Sequence, residues 1–294
     1  MNSSTTPWTL QRRKVGSLYL HCAEAGQGPL LILLHGFPEF WYGWRHQIGP
    51  LAEAGYRVVA PDLRGYNLSD KPKALEAYRG EALAGDVANL IESYGEDKAY
   101  VVGHDWGGGV AFAAAYFHPE KVDRLVILNS PHPLAFQRAL RGWKQRCKSW
   151  YMLAFQLPWL PEWSLASFGY RSLRRLFHRD PMQPFSKQDI QAYVDALAQP
   201  GARRGALAYY RASFRWPLVP GKLLAKPLPM PTLLLWGMQD QYLGSELTED
   251  LEAWIPDLQI RRFDQASHWL AHDQPEQVNR ALLKFLAKDD PSRG

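Results

Sequence analysis

The chain has 294 residues, of which 46% are hydrophobic and 21% charged, and its formal net charge is +5. That length supports a large core, in one domain with an insertion or in two small ones, and the composition is that of a soluble globular protein rather than a disordered or fibrous one. Basic residues are spread out except in the run from Gln11 to Lys14 and between Arg138 and Arg179, a pattern that fits a basic cap or a solvated surface better than a nucleic-acid interface.

The first residues, MNSSTTPWTLQRRKVG, hold no apolar stretch long enough for a signal peptide. SLYLHCAEAG alternates and predicts an antiparallel strand. PLLILLHG is a continuous apolar run ending in glycine, the pattern of a buried parallel strand, and is far too short to span a bilayer. YRVVAPD, KAYVVGHD, DRLVILNS, PTLLLWGMQD and LQIRRFD repeat the strand pattern. Helical stretches are expected at Trp41–Ala54, Gly80–Tyr94, Gly107–Phe117 and Glu246–Trp254, with QPEQVNRALLKFLAK as a closing amphipathic helix. Such alternation predicts an α/β fold with a mostly parallel sheet and helices on both faces. It stops between His132 and Lys226, where the patterns are helical, as in SKQDIQAYVDALAQ. The expected organisation is a core of 1–131 and 227–294 with a helical cap, 132–226, inserted between its halves.

Ligands of open parallel sheets meet the carboxyl ends of the strands. Four apolar runs end there in residues suited to chemistry: His35-Gly36-Phe37-Pro38, Asp105, Asp240, and the segment QASHW that carries His268. Gly103-His104-Asp105-Trp106-Gly107 is a nucleophile elbow with aspartate where hydrolases usually carry serine. Asp105 also suits a helix N-cap, but the downstream acid and histidine favour a nucleophile, Asp240 orienting His268. Asn129, at the end of another strand, cannot carry the acid's charge, and His272 is the rival of His268. The N–H groups of Phe37 and Trp106 are expected to form an oxyanion hole. His35 reads as a structural, hydrogen-bonded histidine.

HGFPEFWYGWR, RGYNLSDKP, GHDWGG, WGMQDQYL and ASHW together resemble the α/β-hydrolase fold in its epoxide hydrolase branch. The resemblance spans the whole chain. It implies Asp105 as nucleophile, Asp240 as acid, His268 as histidine, and a cis Phe37–Pro38 peptide. It extends into the cap, where YMLAFQLPW and YYRASFRW point to Tyr151 and Tyr210 as two tyrosines over the nucleophile, with Tyr209 as the neighbour that could be confused with Tyr210. Substrate contacts are expected from His35, Pro38, Trp106 and Phe155. Trp143, Trp150, Trp159 and Trp163 join Phe155 in suggesting an apolar or aromatic epoxide.

A carboxylate suits that chemistry. An epoxide has no carbonyl and opens by displacement at a saturated carbon, and a carboxylate is an anionic nucleophile at neutral pH without help from a base. The resulting ester would then be hydrolysed by water activated by His268. A haloacid or haloalkane dehalogenase would use the same triad, although haloalkane dehalogenases usually carry Asn where this chain has Phe37, and haloacetate dehalogenases an Arg where it has Trp106. A small-molecule sensor on a hydrolase fold is the reading from another class. No metal or organic cofactor is expected, since no metal-binding or phosphate-binding motif occurs. The expected partners are an epoxide and water, with no nucleic acid and no membrane span, in a monomer or homodimer. Cys22 and Cys147 follow no metal spacing and read as reduced thiols of a cytoplasmic protein.

Overall fold

A computed structural model describes residues 8–287. Eight strands form one sheet: β1 (Thr9–Val15), β2 (Leu18–Ala25), β3 (Leu30–Leu34), β4 (Arg57–Pro61), β5 (Ala99–His104), β6 (Val122–Leu128), β7 (Thr232–Gly237) and β8 (Leu258–Phe263). Their spatial order is β1-β2-β4-β3-β5-β6-β7-β8. The β1/β2 and β2/β4 pairs are antiparallel, and every other pair is parallel. Every residue of β3 and β7 is buried, which requires cover on both faces of the sheet. Helices α1 (Arg45–Glu53), α2 (Gly80–Ser93) and α3 (Trp106–Phe117) supply part of it.

Between β6 and β7 the chain forms only helices: α4 (Pro133–Ala139), α5 (Trp143–Lys148), α6 (Trp150–Ala154), α7 (Leu160–Arg179), α8 (Lys187–Ala198), α9 (Ala202–Arg215) and α10 (Gly221–Leu224). Nonhelical backbone at Ser167–Tyr170 breaks α7 in two. A full capping box opens α8, with Ser186 and Asp189 bonding each other's backbone N–H. The chain closes with α11 (Leu270–Asp273) and α12 (Pro275–Leu286), and α2 packs on α3 as α1 packs on α12.

The structure departs from the sequence expectations at two places. Glu246–Trp254 is not a helix; only Ser245–Thr248 makes a 3-10 turn. The Thr248 and Glu249 carbonyls accept from the Arg262 and Arg138 side chains, and Asp250 has a left-handed φ of 51°. A continuing helix would need those carbonyls and that backbone for itself. The sequence reading also misses β1, whose TLQRRKV is largely exposed and charged, as suits an edge strand that discourages further pairing.

Register positions the site. Leu34 of β3 pairs with Gly103 of β5, His104 with Leu128 of β6, Leu128 with Leu235 of β7, and Gly237 with Phe263 of β8. The segments that leave these strands therefore begin at one level along one edge. After β3 the chain turns to β4 on one side while β5 lies on the other, so this edge holds the sheet's topological switch point.

Candidate active site

Asp105 sits between β5 and α3 with φ 49° and ψ −119°, a conformation unfavourable for a residue with a side chain. It is the N-cap residue of α3, yet its carboxylate makes no capping hydrogen bond. Close packing holds the turn: a Cβ on Gly107 would lie 2.1 Å from the Leu34 carbonyl oxygen, and one on Gly36 would lie 2.4 Å from the Asp105 Cβ. Only glycine at both positions lets the β3 and β5 turns approach this closely. The Phe37–Pro38 peptide is cis. The Phe37 N–H donates to Asp105 Oδ1 at 2.7 Å. Trp106 opens α3, so its N–H has no acceptor within the helix.

His268 and Asp240 reach Asp105 from the β8 and β7 ends. His268 Nε2 lies 3.7 Å from Asp105 Oδ2, and its Nδ1 lies 2.7 Å from Asp240 Oδ2. Asp240 Oδ1 accepts from the N–H groups of Tyr242 at 2.7 Å and Leu243 at 2.9 Å. Asn129 donates to Asp240 Oδ2 at 2.8 Å, and its own oxygen takes the Gly237 N–H at 2.9 Å. The residue rejected as the acid is thus the acid's brace. Burial opposes charge on Asp240, but His268, the Leu243 N–H and the Asn129 amide hold its carboxyl below the ordinary value. Burial likewise opposes protonation of His268, and the charges of Asp240, Asp105 and Glu39 outweigh it, raising the imidazole to about 9.

A second buried pair lies behind the site and escapes the sequence reading. His104 Nδ1 is 2.8 Å from Glu39 Oε2, and its Nε2 is 2.8 Å from the His268 carbonyl oxygen. Both contacts are to oxygen atoms, so the ring ties Glu39 to the backbone of the His268 segment. Burial opposes charge on Glu39, but His104 holds its carboxyl below the ordinary range. The signal available was a glutamate directly after the His-Gly-Phe-Pro turn, in the same motif that carries the oxyanion donor.

A cavity of about 810 Å³ opens over Asp105 and His268. Its walls are mostly apolar and include Phe37, Pro38, Tyr151, Phe155, Tyr210 and Trp269. Tyr151 and Tyr210 stand with ring centroids 6.0 Å apart, and Phe155 lies against both, at 5.6 and 5.0 Å. Burial pushes both phenols above their usual value, and the Asp105 charge pushes further in the same direction. Tyr209 is elsewhere: it is buried against Tyr66 and Tyr78 and donates to the Arg64 carbonyl at 2.9 Å.

Two residues expected to contact substrate, His35 and Trp106, do not line the cavity. The His35 Nδ1 meets the Gly36 carbonyl at 2.9 Å and its Nε2 accepts the Leu63 N–H at 3.0 Å. An acceptor on one nitrogen and a donor on the other fix a neutral ring, and burial lowers its basicity further. The Trp106 indole lies edge-on to Tyr209 and Tyr210 and is not part of the wall. Of Trp143, Trp150, Trp159 and Trp163, only Trp150 lines the cavity. His272 is spent on Arg45 and the Gln183 carbonyl, and its ring stacks on Phe185.

Comparison with known proteins shows the family of the fold that carries this site. Residues 29–275 match the family model of the alpha/beta hydrolase fold. The chain is 43% identical to the AB hydrolase superfamily protein YfhM of Bacillus subtilis, over 91% of this chain and 94% of that one. It is 37% identical to epoxide hydrolase 4 of Homo sapiens, over 95% of this chain and 78% of that one. Among solved structures it resembles a variant of an epoxide hydrolase from Bacillus megaterium, complexed with a naphthyloxy propanediol product. That likeness has a TM-score of 0.86 and 34% identity, covering 95% of this chain and all of the other.

Proposed function

The chain belongs to the α/β-hydrolase family, in its epoxide hydrolase branch, and from that premise we propose that it converts apolar epoxides to vicinal diols through an ester on Asp105. The observation that carries this reading is the composition of one cavity, in which the Asp105 carboxylate, the His268 imidazole and the Tyr151 and Tyr210 phenols face a common apolar space. The helical segment 132–226 acts as the cap that brings in the phenols.

The Phe37 N–H holds Oδ1, which leaves Oδ2 to attack the saturated epoxide carbon. The C–O bond of the ring breaks, and its oxygen takes a hydrogen bond or proton from Tyr151 or Tyr210. Water then attacks the ester carbonyl carbon. His268 takes the water proton, and the N–H groups of Phe37 and Trp106 hold the oxyanion on Oδ1. Cleavage of the acyl–oxygen bond, with the second water proton passing to the departing oxygen, releases the diol and leaves a solvent oxygen in the regenerated carboxylate.

Charge couples the two half-reactions. Esterification removes the negative charge of Asp105, one of those that keep His268 protonated and the phenols weakly acidic. As the alkoxide develops, the phenols become better donors. Once the ester is complete, the imidazolium proton passes to the alkoxide or phenolate left by ring opening, and the neutral imidazole then serves as base.

A halide leaving group needs no proton, so two phenols over the nucleophile favour an epoxide over a haloalkane or haloacid. The relative's naphthyloxy propanediol product supports an aryl-bearing substrate for a cavity of this size. Cys22 and Cys147 are free thiols, which supports a reducing compartment such as the cytoplasm. The test is a panel of aryl epoxides with chloro- and fluoroacetate, scored for diol and for halide. Diol from the epoxides is expected; halide release without diol formation overturns the assignment.

A further inference from the structure

The insertion between β6 and β7 has a charge opposite to that of the rest of the chain. Residues 132–226 hold sixteen Lys and Arg against four Asp and Glu, and the remainder holds eighteen against twenty-five. The imbalance is greatest from 141 to 179, with eight cations and one carboxylate. Arg211 is paired with Glu162 and Arg138 with Asp250, whereas Arg141, Lys144, Arg146, Arg171 and Arg175 make no ion pair among the described residues.

The same stretch exposes large apolar side chains. Trp143, Trp159, Trp163 and Phe168 are between 63% and 86% exposed, and none of them lines the cavity. Trp150, Leu157 and Leu160 are exposed as well, and these three do line it. The mouth of the cavity therefore opens on the apolar patch. Large apolar side chains exposed in number around a cavity mouth mark a surface that meets a partner.

We propose that this face of the insertion docks on anionic phospholipid bilayers, with the cavity mouth turned toward the lipid. Indole rings favour the headgroup level, where an apolar body and a polar N–H are both accommodated. Interleaved Lys and Arg reach lipid phosphates while their stems cover apolar surface. The net negative remainder of the molecule is repelled from the same surface, so the charge asymmetry also sets the orientation. A nucleic acid has the same sign of charge and could stack on the indoles, but the exposed Leu153, Leu157 and Leu160 beside them suit acyl chains and not bases. Among the described residues no helix is long and apolar enough to cross a membrane, so the attachment is peripheral.

Sedimentation with vesicles tests this without turnover, so its outcome is independent of the reaction assigned above. The protein is expected to pellet with phosphatidylcholine vesicles containing phosphatidylglycerol, to stay in solution with phosphatidylcholine alone, and to be released by salt. Lys144→Glu with Arg175→Glu is expected to weaken binding by about tenfold or more. Trp159→Ser with Trp163→Ser is expected to weaken it by about as much, with the salt dependence retained. All four side chains are exposed, so circular dichroism and the unfolding temperature should be unchanged. Wild-type protein that stays in solution with the anionic vesicles at low salt, or binding that survives both pairs of substitutions, overturns the proposal.

Discussion

His268 Nε2 stands 3.7 Å from Asp105 Oδ2, beyond hydrogen-bond reach, while the Phe37 N–H holds the other carboxylate oxygen at 2.7 Å. The imidazole is close enough to act on a water at the Asp105 carbonyl carbon, yet it leaves Oδ2 open to substrate. The two oxygens of one carboxylate are thereby given different tasks before any ligand arrives.

The strained backbone of Asp105 has a measurable consequence. Alanine and glycine at position 105 remove the same side-chain contacts, but only glycine relaxes at φ 49° and ψ −119°. Asp105→Gly should therefore unfold later than Asp105→Ala, by about 1–2 kcal/mol in denaturant titration, the reverse of the usual order. Both variants should lose turnover by at least about a thousandfold.

Protonation of His268 links stability to pH. Its folded value of about 9 lies above its ordinary 6.5, so the folded state holds the proton more tightly than the unfolded chain. The contribution is complete below pH 6.5 and is lost as pH rises through about 9, on the order of 3 kcal/mol in all. The unfolding midpoint should fall across that window in the wild type, and the descent should be shallower in His268→Gln.

Tyr151→Phe and Tyr210→Phe should each slow ester formation by about 10-fold to 100-fold, and the double change more, with ester hydrolysis little affected. Single-turnover kinetics separates the two steps. An unchanged alkylation rate in the double variant would remove the phenols from the mechanism.

Glu39→Gln tests the pair behind the site. It replaces the carboxylate that faces the buried His104 Nδ1 and should cost about 1–3 kcal/mol of stability, read by thermal or urea unfolding. A loss within experimental error would mean that this buried contact contributes nothing to stability.

Seven of the eight strands and the long helical insertion are legible in the sequence, most of the strands because a buried one is an apolar run closed by a polar turn. Asp105, Asp240 and His268 follow from the same logic, since strand-end residues of a parallel sheet gather at one edge. What is not legible depends on side chains distant in sequence. Arg138 and Arg262 take the carbonyls that a helix at Glu246–Trp254 would need. Asn129 reads as an inadequate acid, and only the register of β6 against β7 shows it bracing Asp240. The aromatics of the inserted segment suggest an apolar substrate, yet Trp143, Trp159 and Trp163 are exposed and do not line the cavity; aromatic content does not reveal which side of a short helix is covered.

The most direct test of the covalent step is mass spectrometry of His268→Gln quenched soon after mixing with an aryl epoxide. Without its base the ester should accumulate, and the protein should gain the mass of one substrate on the peptide that contains Asp105. Diol formation with no modified protein at any quench time, or a modification confined to another residue, would contradict the account.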